Sequence, residues 1–234
     1  MRKKIVVLSG AGISAESGIA TFRDANGLWE GHDIMEVASP EGWYKNKLLV
    51  LDFYNQRRKN GLQAQPNAGH FALAQLEEKY EVVIVTQNVD NLHEKAGSTN
   101  VIHLHGELFK SRSTLDSSLV YPINGWELNI GDYCEKGSQL RPHIVWFGEM
   151  VPLMEQAVAE VSQADIFIVV GTSLVVYPAA GLLNYVAEDV PKYIVDVKIP
   201  SLIQQPNMHF IEEKASSGLS RLATQLLNSD IGFL

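Results

Sequence analysis

The residues best suited to chemistry fall in three places along the chain. Gly10-Ala11-Gly12-Ile13-Ser14-Ala15-Glu16-Ser17-Gly18 follows an apolar run. Glycines let a backbone approach a pyrophosphate closely, and N–H groups at a helix start hold its charge. Ala15 stands where a dinucleotide fingerprint has its third glycine, so a plain strand-to-helix turn explains the loop equally well. The second place is Gln87-Asn88-Val89-Asp90, followed by His103 and His105. Imidazole exchanges protons near neutral pH, whereas Asn88 and Asp90 could simply cap the next helix. Tyr54 and Arg57 form the third, on one face of a helix expected over 48–60 and ended by Gly61. Arg offers a planar donor fork suited to carboxylates. The alternative is a solvated basic face, Arg57-Arg58-Lys59, with Tyr54 packed in the core.

Four apolar runs must position these groups: Ile5 to Leu8, Val82 to Val85, Ile166 to Val170 and Tyr193 to Val195. Each is rich in β-branched residues and apolar throughout, as strands buried on both faces are. Each leads into small or polar residues. In open parallel sheets, ligands bind beyond the carboxyl ends of the strands, so the runs point to one shared pocket. Helices are expected over 67–79, 152–163 and 217–227, the first capped by Asn67 with Phe71, Leu73 and Leu76 on its apolar face. Strand and helix alternate, which gives an α/β fold with a parallel sheet. Two stretches, 25–65 and 107–147, break the alternation and read as a smaller module over the strand ends.

Composition narrows the classes. The chain has 234 residues, a net charge of −8, 46% hydrophobic and 20% charged residues. That is a globular balance, and area scaling buries about 70% of the unfolded surface at this size. The acidic balance argues against broad nucleic-acid binding. No apolar run nears the ~20 residues of a membrane span, and the one after Arg2-Lys3-Lys4 stops at Ser9, short of a signal-peptide core. A cytoplasmic protein without a membrane partner is expected. Cys134 is the single cysteine, so neither an internal disulfide nor a four-cysteine zinc site can form.

Five motifs in order, GAGISAESGIATFRD, TQNVDNLHEKAG, HLHG, VWFGE and GTS, resemble the sirtuins, NAD-dependent protein lysine deacylases. The resemblance implies a Rossmann-like, doubly wound parallel sheet over 1–24, 76–106 and 149–234. A smaller module over 25–75 and 107–148, a helical insert plus a degenerate zinc-ribbon region, would cover the cleft. It assigns Gly10, Ala11, Gly12, Thr21, Phe22 and Arg23 to the pyrophosphate and nicotinamide-ribose region of NAD. Gln87, Asn88 and Asp90 would receive nicotinamide, and Gly171, Thr172 and Ser173 the adenosine half, with Ala215 under the adenine. His105 would be the general base, Asn88 a second catalytic residue, and His103 structural. Val145, Trp146, Phe147, Gly148 and Glu149 would border the cleft where a substrate peptide adds as a strand.

Tyr54 and Arg57 look like the Tyr-x-x-Arg signature of sirtuins that remove succinyl and malonyl groups, with Ala38 leaving room for the longer acyl chain. The implied reaction frees lysine and yields nicotinamide and O-acyl-ADP-ribose, with succinyl and malonyl preferred and acetyl accepted. Acyl-lysine proteins are the expected partners, and a monomer the expected state. The same residues leave open NAD consumption without deacylation, by ADP-ribosyl transfer or hydrolysis, or a non-catalytic NAD sensor.

Two departures stand out. Most sirtuins bind structural zinc with two cysteine pairs, but Ser111 to Ser117 holds no cysteine and Tyr133 to Ser138 keeps only Cys134. No metal is expected, and Tyr121, Pro122, Ile123, Trp126, Leu128, Ile130 and Tyr133 are the candidate replacement core. Asp196 stands where the family usually has Asn beside the adenosine ribose. It is either a ribose hydrogen-bond acceptor, which also opposes a 2′-phosphate, or a helix-capping or loop Asp.

Overall fold

Val, Ile and Phe dominate the four apolar runs because both faces of their sheet are covered. The structure, a computed structural model, describes residues 2–20, 28–29, 31–200 and 206–229. In chain order its strands are β1 (Lys4–Ser9), β2 (Leu28–Trp29), β3 (His32–Asp33), β4 (Glu81–Thr86), β5 (Val101–His103), β6 (Gly106–Ser113), β7 (Val120–Pro122), β8 (Leu140–Ile144), β9 (Ile166–Val170), β10 (Lys192–Val195) and β11 (Met208–Ile211). The α-helices are α1 (Ile34–Val37), α2 (Pro40–Lys45), α3 (Lys47–Gln63), α4 (Ala68–Gln75), α5 (Leu92–Lys95), α6 (Met154–Val161) and α7 (Ala215–Asn228).

The large sheet runs β11-β10-β9-β1-β4-β5, and its five strand pairings are all parallel. Chain order reverses between β1 and β9, which makes their carboxyl ends a topological switch point. Alternate side chains of each strand enter opposite cores. Ile5 and Val7 pack with Leu73, Leu76, Leu219 and Leu222 of the α4 and α7 side. Val6 and Leu8 pack with Ala157, Val161, Leu182 and Leu183 on the other. A third cluster joins Val37, Trp43, Val50 and Tyr54 to Leu108, Ile144 and Trp146, so both irregular stretches share one core. Its sheet is three-stranded and antiparallel, β7-β6-β8.

Several expectations need correction. α3 does not stop at Gly61 but runs to Gln63. Space at Gly61 is tight, since a Cβ there would sit 3.3 Å from Phe109 and 3.4 Å from Leu108. Arg57-Arg58-Lys59 is not a solvated basic face. Arg58 is fully buried and donates to the carbonyls of Trp126 and Leu108 and to Asn55 Oδ1, which pins α3 to the 107–147 stretch. Phe71 is 51% exposed rather than turned inward. In the cysteine-poor region Leu128 is buried, but Ile130 and Tyr133 are exposed. Cys134 is buried instead, its thiol 3.3 Å from Ser113 Oγ. Among the described residues no group of three or more His, Cys, Asp or Glu could hold a metal ion, and no helix is long and apolar enough to cross a membrane.

Leu73 and Phe71 give a paired test of this core. Leu73→Ala should cost about 2–5 kcal/mol in urea unfolding. Phe71→Ala should stay within about 0.5 kcal/mol.

Candidate functional site

The switch point is closed at its base by backbone alone. Gly10 N–H donates to Val170 O at 3.0 Å, and Gly12 N–H to Gly171 O at 2.8 Å. A Cβ on Gly10 would lie 2.7 Å from Thr172 Cβ, and one on Gly12 would lie 2.6 Å from Gly171 Cα. Residues larger than glycine would push the β1 and β9 loops apart. Ala11–Ser17 then continues as a 3-10 helix rather than an α-helix. A cavity of about 490 Å³ opens here, lined by Gly10, Ala11, Gly12, Gly171, Thr172 and Ser173 on one side.

The β4 end supplies the polar wall. Gln87 Nε2 donates to Thr172 Oγ1 at 3.1 Å, bridging the loops after β4 and β9. Asn88 Nδ2 donates to Gly10 O at 3.2 Å, and Ser14 Oγ donates to Asp90 Oδ2 at 3.1 Å. Burial pushes the Asp90 carboxyl up, opposed by hydrogen bonds from Leu92 N and Ser14. The Leu92 bond, 3.1 Å to Asp90 Oδ1, shows that Asp90 does brace the start of α5 as well as lining the cavity. Val89 also lines it.

The two histidines of the β5–β6 turn differ in protonation. His105 lines the cavity, and its Nδ1 lies 3.1 Å from Gln87 O. A carbonyl only accepts, so the Nδ1 holds the proton and Nε2 keeps a lone pair. Burial lowers its pKa, with the Gln87 bond opposing, so the ring is neutral and basic at pH 7. His103 sits between two acceptors, Asn88 O at 3.0 Å and Glu94 Oε1 at 2.6 Å. Burial alone would lower its pKa, but the Glu94 bond and charge outweigh that and raise it. His103 is therefore a brace for the 87–90 loop. Gly106, at φ +85, makes the turn possible, since a Cβ there would meet His143 O at 2.1 Å.

The small module forms the opposite wall. Tyr54 is fully buried yet lines the cavity, and its hydroxyl accepts from Trp146 Nε1 at 3.0 Å. Burial pushes its pKa up to about 12, so it stays protonated and can donate. Arg57, 8% exposed, stacks its guanidinium 4.0 Å from the centre of the Trp29 ring. Ala38 and Val145 line the same wall. Ala38 O accepts from Phe147 N–H at 3.0 Å, and Val145 N–H donates to His105 O at 2.9 Å.

Residues 10–178 match the Sir2 family. The chain belongs to it. An NAD-dependent protein deacylase of Helicobacter pylori is 55% identical over 227 residues, 96% of this chain and 98% of that protein. One of Bacteroides thetaiotaomicron is 49% identical over 230 residues, covering 96% and 98%. Among solved structures, a Sir2 homologue in complex with NAD has a TM-score of 0.86 at 39% identity, covering 97% of this chain and 90% of that one. A Sir2 enzyme with a deacetylated peptide and 3′-O-acetyl ADP-ribose has a TM-score of 0.79 at 30% identity, covering 96% and 94%.

In this sirtuin most of the site residues read from sequence meet at one cavity, Phe147 and Gly148 among them. Glu149 also lines it, but its carboxylate is engaged by the protein's own Arg112, Arg141 and Trp146 amide. Asp196 and Ala215 are not part of the cavity lining. Asp196 is buried at the end of β10, with Lys198 N–H on its Oδ1 at 3.0 Å, and Ala215 is buried in the core beneath α4. Thr21, Phe22 and Arg23 lie outside the described residues. The sequence reading passed over Trp29, Asn60 and the exposed lip formed by Val175 and Tyr177. Trp29 was within reach, because it follows the matched loop closely and an aromatic is a common partner for Arg.

Below the cavity, His93 Nε2 lies 2.9 Å from Ser9 Oγ, and its ring packs edge-to-face on His70, centroids 5.1 Å apart. Burial lowers the pKa of both, His70 to about 4. A neutral buried base binds fewer protons than the unfolded chain, so stability is intact above the unfolded pKa near 6.5 and is lost as pH falls. For His70 the gap from 6.5 to about 4 corresponds to about 3 kcal/mol. His70→Gln keeps a side-chain acceptor for the Asn67 N–H it now caps at 3.3 Å. Urea unfolding between pH 6.5 and 4 should show a shallower loss of stability in His70→Gln than in the parent.

Proposed function

We propose that this sirtuin is an NAD-dependent protein-lysine deacylase that prefers succinyl and malonyl groups and accepts acetyl. The observation that supports it best is the pairing of two walls across one cavity. His105, Asn88 and Asp90 stand on the β4–β5 side, and Tyr54 and Arg57 on the small-module side. The donor set suits NAD. The side-chain-free approach of Gly10 and Gly12 to Gly171 leaves backbone and small polar groups at the switch point, where dinucleotides bind in such sheets. When bound, NAD supplies an electrophilic ribose carbon, nicotinamide as leaving group and the ribose hydroxyl that takes the acyl group.

The chain's own residues divide the remaining work. Gln87, Asn88 and Asp90 would hold the nicotinamide end, with Asn88 anchored on Gly10 O. His105, its Nδ1–H tied to Gln87 O, would take the hydroxyl proton at Nε2. Val145 to Gly148 would seat the peptide as an added strand. Buried Tyr54, with Trp146 donating to its oxygen, keeps its own proton for an acceptor. Arg57 would pair with the carboxylate that ends a dicarboxylic acyl chain. Thr21, Phe22 and Arg23, and at the adenosine end Asp196 and Ala215, belong to the NAD-binding reading on the resemblance alone. The division of the chain at 25, 76, 107 and 149, a monomeric state and a cytoplasmic location remain part of the same reading.

A charge-assisted hydrogen bond contributes about 1.5–3 kcal/mol, roughly tenfold to a hundredfold in discrimination. Arg57→Met should lower kcat/KM for succinyl-lysine peptide by about that factor. Deacetylation should change far less. Equal loss of both activities would overturn the acyl-recognition reading.

A further inference from the structure

Glu149 sits in the segment read as substrate-binding, yet its contacts face inward. Its oxygens accept from Arg112 Nη2 at 3.0 and 3.2 Å, from Arg141 at 2.7 and 3.1 Å, and from Trp146 N–H at 2.8 Å. Burial pushes the carboxyl up, but Arg141, the Trp146 amide and Arg112 outweigh it and hold it ionised. Arg141 then lies over the Trp146 indole, 3.3 Å from guanidinium carbon to ring centre. That indole donates its N–H to Tyr54 OH. An unbroken path of contacts therefore runs from Glu149 through Arg141 and Trp146 to the acyl wall.

We propose that Glu149 is a positioning residue for acyl selectivity, clamping two arginines so that Arg141 fixes the Trp146 indole and, through it, the Tyr54 hydroxyl. The proposal rests on the acyl-recognition reading above. Its physical basis is direction. A hydroxyl whose oxygen accepts from a fixed indole must aim its own proton elsewhere, and Tyr54 lines the cavity that Arg57 also lines. Without Glu149 the guanidiniums of Arg112 and Arg141 repel each other and Arg141 leaves the indole face. A terminal carboxylate needs an aimed O–H, whereas an acetyl group offers nothing for it to meet.

The test combines the Trp146 indole N–H resonance in ¹⁵N-labelled protein with acyl selectivity in Glu149→Gln, Arg112→Gln and Tyr54→Phe. Glu149→Gln should shift the indole proton in the direction that Tyr54→Phe shifts it. It should also raise KM for a succinyl-lysine peptide about tenfold, with a smaller change for the acetyl peptide. Removing one partner of a buried charge cluster destabilises. If Glu149→Gln does not fold, Arg112→Gln, which leaves Glu149 and Arg141 paired, should show the same two changes at smaller size. An unmoved indole proton in the folded variants overturns the proposal, as does an equal fall in both activities. A parent enzyme that fails to prefer succinyl over acetyl would instead sink the acyl reading, while the indole resonance still reads the clamp.

Discussion

Everything in this site depends on two backbone stretches that meet with no room for a side chain between them. Gly10 and Gly12 lie against Gly171 at the carboxyl ends of β1 and β9, at separations that admit no Cβ. That contact brings Thr172 within reach of Gln87 and brings Gly10 O within reach of Asn88. The loops after three neighbouring strands become one polar surface. His105 inherits its position from the same surface, because its proton is held by Gln87 O.

The second wall has a different origin. It is carried by the small module, whose core joins α1 to α3 with residues of β6 and β8. Here Arg58, buried and donating to Trp126 and Leu108 carbonyls, and Glu149, holding Arg112 and Arg141, tie its parts together. Desolvation of these charged groups offsets much of the attraction in such contacts.

Much of this was legible in the sequence, for physical reasons. β1, β4, β9 and β10 announce themselves because strands buried on both faces must be apolar throughout. β5 and β11 were not read as strands. β5 has three residues, and β11, at the sheet edge, exposes His209 and Phe210 in its middle. Gly61 reads locally as a helix stop, but its closeness to Phe109 is a tertiary demand that overrides propensity. The cavity residues were found through motif order, which fixes positions along the chain but not hydrogen-bond partners. Glu149 shows the difference. Its place beside the cleft was readable, but its two arginines, 37 and 8 residues away, were not.

In the proposed function the two walls act together, one on NAD and one on a dicarboxylic acyl chain. The most direct measurement incubates the protein with NAD and acetyl-, malonyl- or succinyl-lysine peptide, and follows nicotinamide and peptide together by mass spectrometry. Matched amounts of nicotinamide and freed lysine are expected, with higher kcat/KM for the malonyl and succinyl peptides. Nicotinamide released without deacylated peptide, or a clear preference for acetyl, would contradict it.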